Sequence, residues 1–118
     1  MEDRREAERR GADIRCVIED LGFGREPQTQ SGDRQSSGAG LTTALSTLGV
    51  SPDASPYVVC DLNGESYRSF EWGVAASRLG PGFAQPLALV HPAESFGDIG
   101  AASGAAHIAI AAATNTDE

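Results

Sequence analysis

The chain has 118 residues, the length of one domain, and an ordinary globular balance of 40% hydrophobic and 22% charged residues, which excludes wholesale disorder. Nine basic residues, all arginine, stand against 17 acidic ones; the net charge of −8 supplies no positive field for nucleic acid or an anionic membrane, and no lysine amine is on hand for catalysis. The opening MEDRREAERR lacks the apolar core of a signal peptide, and the longest apolar run, Ala105 to Ala113, is too short to span a bilayer and is interrupted by His107. The expected setting is therefore cytoplasmic. Cys16 and Cys60 lie far apart inside apolar runs and read as two buried free thiols, not as a disulfide framework.

Residues 1–10 form a charged N-terminal segment in which Glu2–Arg5, Glu6–Arg9 and Glu6–Arg10 have helical spacing, so a solvated helix is expected. Residues 12–21 read as a strand. Ile14, Cys16 and Ile18 share one face at a period of two, and Gly22 and Gly24 end it. Residues 25–38 are polar and rich in Gly and Ser, and read as a poorly ordered loop. Leu41, Ala44, Leu45 and Leu48 make a helical stripe that Gly49 and Pro52 terminate. PYVVCDL predicts a strand over 56–62, closed by the Asn63-Gly64 turn. Ser69 is a candidate N-cap for a helix ending near Gly80, with Trp72, Ala75, Ala76 and Leu79 on its apolar face. PLALVH predicts a strand over 86–91. A glycine-rich turn then leads into an alanine-rich helix, Ala101 to Ala113, and residues 114–118 read as a frayed tail.

The resulting β-α-β-α-β-α order predicts an α/β domain over residues 11–113 with a mostly parallel sheet and crossover helices. Sites in such sheets gather at the carboxyl ends of strands, here Asp61 to Gly64 and His91 to Gly100. The last helix has almost no charged face, so its natural place is between two layers.

Four stretches, in order, are RRGADIRCVIEDLGFG, SGAGLTTALSTLGVSPD, YVVCDLNGE and SFGDIGAASGAAHIAIAAA. Together, over roughly residues 9–113, they resemble the C-terminal half of a β-ketoacyl synthase-like chain, the thiolase-fold condensing enzymes of fatty acid and polyketide assembly. The resemblance implies a thiolase-like half-domain. Asp61 falls where the family has its first catalytic histidine, Asp98 where it has the second, and Ala93 near its lysine. The family's nucleophilic cysteine and its closing Phe-Gly-Phe-Gly-Gly segment have no counterpart in these residues. The resemblance therefore implies common ancestry without independent condensing activity. The alternative is one subunit of a split acyltransferase whose partner supplies the cysteine. The implied partners are a second copy or an N-terminal thiolase-fold half, docked on residues 101–113, and an acyl carrier protein.

The chemistry of these positions has two readings each. Condensation needs neutral imidazoles to stabilise an enolate oxygen, and a carboxylate carries the wrong charge for that task. Asp61 and Asp98 are either structural caps, of the Asn-Gly turn and of a helix start, or a paired-carboxylate site on neighbouring strand ends. Gly97, Gly100 and Gly104 either cradle an anion such as a phosphopantetheine phosphate or form a tight strand-to-helix turn. Cys60 reads as an inert thiol without a neighbouring histidine. His107 reads as a core or interface histidine. Asp61, His91 and Asp98 lack compact metal-ligand spacing, so no metal and no cofactor is expected. Glu65, Tyr67, Arg68, Glu71 and Trp72 read as the start of a surface helix with an aromatic anchor, without a chemical role.

Overall fold

The computed structural model describes residues 1–27, 36–51 and 53–114. The elements are α1 (Arg4–Arg9), α2 (Ala39–Ser46), β1 (Tyr57–Val59), α3 (Ser66–Leu79), α4 (Pro81–Ala84), β2 (Ala88–Val90), α5 (Ala93–Phe96) and, after a 3-10 turn at Gly100–Ala102, α6 (Ser103–Thr114). The fold is mixed helix and strand around a small parallel sheet. Tyr57, Val58 and Val59 pair in register with Ala88, Leu89 and Val90, and the ladder extends by one bond from the Cys60 N–H to the Val90 carbonyl at 2.9 Å. The β1–α3–β2 crossover follows the expected order, with both strands shorter than their apolar runs.

The strand expected over residues 12–21 does not form. Among the described residues, no backbone–backbone hydrogen bond reaches residues 13–25. Alternating side chains establish a strand only when a neighbouring backbone completes its ladder, and no described strand pairs with this one. The end of this segment is nevertheless held. Gly22 and Gly24 lie so close to α2 that a Cβ on either would collide with the carbonyls of Ala44 and Gly40, and a Cβ on Gly40 would sit 2.6 Å from the Glu26 nitrogen. The glycines thus serve close backbone approach rather than strand termination.

The loop expected over 25–38 is anchored at both described ends; residues 28–35 lie outside the described residues. Glu26 accepts from the Ser37 N–H at 3.1 Å, the Ser37 hydroxyl at 2.7 Å and the Gly40 N–H at 3.2 Å, which sets a carboxylate on the orphan amides at the start of α2. Ser36 is 4% exposed and donates to Glu71 of α3. Arg78 donates to the Ser37 carbonyl at 3.1 Å. These bonds fasten α2 to α3, and Gly38, at φ +69, starts α2 against Val74.

Helix α3 begins three residues before the expected cap. Glu65 is its N-cap and Ser69 lies inside it, because Asn63 accepts from the Glu65 N–H at 3.0 Å and turns the chain earlier. It ends at Gly80, whose φ of +112 redirects the chain into Pro81. In α1, Asp3 caps the Arg5 N–H and Glu6 pairs with Arg9 as expected, whereas Arg10 reaches Glu2 and Arg4 reaches Glu8 at 2.8 Å.

Very little is buried. The apolar core among the described residues is Ala7, Ala75, Ala76 and Phe83. Helix α6 has no buried residue, so among the described residues the expected position between two layers is not filled. The chain exposes 8250 Å², against about 6100 Å² for a compact monomer of its mass. Its radius of gyration is 15.8 Å, against about 13.5 Å for a compact domain of its length. No helix among the described residues is long and apolar enough to cross a membrane.

Candidate functional site

The carboxyl ends of β1 and β2 lie side by side because the strands are parallel and in register. That arrangement delivers Asp61 and Asp98, 37 positions apart in the sequence, to one polar cluster. Arg68 of α3 joins them. Its guanidinium pairs with the Asp61 carboxylate, donates to the Asp61 carbonyl at 3.3 Å and lies 3.8 Å from the Asp98 carboxylate. It also donates to Glu65 at 3.0 Å and to the Tyr67 hydroxyl at 3.0 Å. The Arg68 side chain is 25% exposed, while each carboxylate it meets is more open to solvent.

Asn63 is the second bridge. Its amide donates to Glu65 at 2.7 Å and to Asp98 at 2.8 Å. The Gly100 N–H donates to the other Asp98 oxygen at 2.8 Å. These bonds explain the titration of the acids. The Gly100 amide first, then the Asn63 amide and the Arg68 charge, hold the Asp98 carboxyl below its ordinary value. Asn63 first, then Arg68, does the same for Glu65. A permanently charged guanidinium among three carboxylates makes an ion-paired lock, its Nε and Nη1 donors engaged and its Nη2 3.8 Å from the Asp98 carboxylate.

The glycine turn is built around Asp98. Gly97 and Gly100 adopt φ values of +81 and +60, which suits the sharp reversal, and Gly104 lies in the first turn of α6. The Gly100 amide points to the Asp98 carboxylate, so this donor is already engaged by an acid of the chain itself. His91 stays outside the cluster and contacts Glu94 at 3.2 Å.

Beside the cluster lies a cleft of about 640 Å³ between α2, β1, α3 and α6. Leu45, Val59, Trp72 and His107 line it, together with Cys60, just past β1, and Arg68. The Cys60 thiol is half-buried and contacts the Val90 carbonyl at 3.5 Å. Burial first, with the Asp61 charge adding to it, pushes this thiol up, away from thiolate. Cys16, expected to be buried, is exposed, because the strand that would have carried it into a sheet does not form. His107 lines the cleft rather than a packed core.

Asp61 and Asp98 were legible as a pair from their places at strand ends. Arg68 and Asn63, which organise them, were not. The available signal was that Asn63 and Arg68 follow Asp61 by two and seven residues across a single turn into α3.

No known protein-family model matches this chain, and no curated protein or solved structure matches it.

Proposed function

We propose that the chain is a β-ketoacyl synthase-like half-domain with a thiolase-like order of elements, that it is cytoplasmic, and that it has no condensing activity of its own. The resemblance of the four sequence stretches supports the family, and the observation that carries the absence of condensing activity is the lock of Asp61, Arg68, Asn63 and Asp98 at the strand ends. Decarboxylative condensation develops negative charge on an enolate oxygen, which needs open donors. Here the carboxyl of Asp98 is held in its charged form, and the donors of Arg68 and Asn63 point at acids of the chain. The raised Cys60 thiol supports the same reading, since thiolate is the nucleophile such chemistry needs.

The sparse core and the bare α6 favour a partnered state. An exposed helix of alanine and isoleucine marks an interaction surface, and its small side chains allow close approach of a second helix. Residues 101–113 are thus the proposed docking face for a second copy or for an N-terminal thiolase-fold half, and an acyl carrier protein is the proposed further partner. The cleft beside Arg68 favours a second reading, in which a partner chain supplies the nucleophilic cysteine and the pair transfers acyl groups.

Incubation of the chain with radiolabelled acyl-CoA or acyl carrier protein tests the absence of condensing activity. The chain alone is expected to remain unlabelled. A stable thioester on Cys60, abolished in Cys60→Ser, would overturn the non-condensing assignment.

A further inference from the structure

We infer that residues 13–21 are the pairing edge of a homodimer, in which two copies lie antiparallel about a two-fold axis at Val17. The segment has the alternation and β-branched content of a strand but no ladder partner: no backbone–backbone bond reaches it among the described residues. Ile14, Val17, Ile18 and Leu21 are exposed along it, Leu21 at 66%. Unpaired main chain flanked by apolar side chains is a template for strand addition.

The charges select a second copy as the occupant. A two-fold axis at Val17 sets Arg15 opposite Glu19 of the copy, twice, with Val17 against Val17 and Cys16 against Ile18. Moving the axis to Cys16 sets Asp13 against Glu19, a like-charge pair; moving it to Ile18 pairs no charges. An axis at Ile14 sets Asp13 against Arg15 but runs the ladder into Ala12, whose N–H already bonds the Ala7 carbonyl at 2.9 Å. Within the chain Arg15 contacts Asp13 at 2.8 Å with both side chains in solvent, so it can join Glu19 of the copy without losing that neighbour. This pairing stands independently of the ketoacyl synthase reading; Ile108 of α6 borders the same surface as Ile14, Val17 and Ile18.

Sedimentation equilibrium of the full chain at micromolar concentration tests it. Wild type is expected to be a dimer. Arg15→Glu should weaken association at least about tenfold, since it turns two attractive pairs into two repulsive ones. The double variant Arg15→Glu with Glu19→Arg should restore the wild-type affinity, an outcome that misfolding of the single variant cannot imitate. Oxidation of the Ile18→Cys variant should give interchain disulfides between Cys16 and the thiol introduced at position 18 of the copy, because directly opposed strand positions fall within disulfide reach. A monomeric wild type would overturn the proposal, as would a dimer indifferent to Arg15→Glu. A dimer abolished by Ala109→Arg and untouched by Arg15→Glu would assign association to α6 instead, and a Cys16–Cys16 crosslink in oxidised wild type would overturn the register at Val17.

Discussion

Gly24→Ala places a methyl group in the tightest backbone contact of the described chain. The added carbon would meet the Gly40 carbonyl and lie 2.7 Å from the Gly40 carbonyl carbon and 3.0 Å from the Ala44 nitrogen. Both are main-chain atoms of α2, and neither can turn aside as the tip of a flexible side chain would. The φ at Gly24 is outside the left-handed region, so the cost is overpacking alone. Overpacking of this kind costs about 1–3 kcal/mol. For a domain of this size about 4 °C of melting temperature corresponds to each kcal/mol, so a loss of roughly 4–12 °C is expected. Gly49→Ala is the control: a Cβ there meets nothing within 4 Å, and the smaller unfolded-state entropy should leave stability unchanged or raise it by about 0.4–1 kcal/mol. Thermal melts followed by circular dichroism at equal concentration give both numbers. Equal midpoints for Gly24→Ala and Gly49→Ala would refute the close approach of residues 22–26 to α2.

The lock at the strand ends has a pH signature. Asp98 and Glu65 have folded-state values below their ordinary ones, so their contribution is present above the ordinary carboxylate range, near pH 4, and is lost as pH falls through the depressed values. Urea unfolding between about pH 3 and pH 7 should therefore show an acid-side decline that is shallower in Asn63→Ala, which removes a donor to both carboxylates; parallel curves would speak against the bridge. The two thiols should separate in alkylation near pH 8. Exposed Cys16 should react roughly tenfold faster than Cys60, whose thiol is half-buried and raised, and equal rates would contradict the placement of the Cys60 thiol against the Val90 carbonyl.

The sequence by itself determined the parts whose physics is local. The stripe of Leu41, Ala44 and Leu45 reads as helix because 3.6-residue periodicity needs only the chain's own backbone bonds, and α2 forms there. The two apolar runs around Val58 and Leu89 supplied each other's neighbour across a helix of crossover length, so they paired in parallel and carried Asp61 and Asp98 to a common edge. Residues 12–21 had the same quality of pattern without a neighbour, and a strand pattern cannot satisfy its own amides and carbonyls. Only the tertiary structure decided that Gly22 and Gly24 pack backbone on backbone against α2, and that Glu26, across the residues that follow it, caps that helix. It alone placed Arg68 among Asp61, Glu65 and Asp98. A surface arginine one helical turn from an acid looks like any solvated pair in sequence, and it becomes the hub of a site only when the parallel register brings the second strand's acid within reach of its other nitrogen.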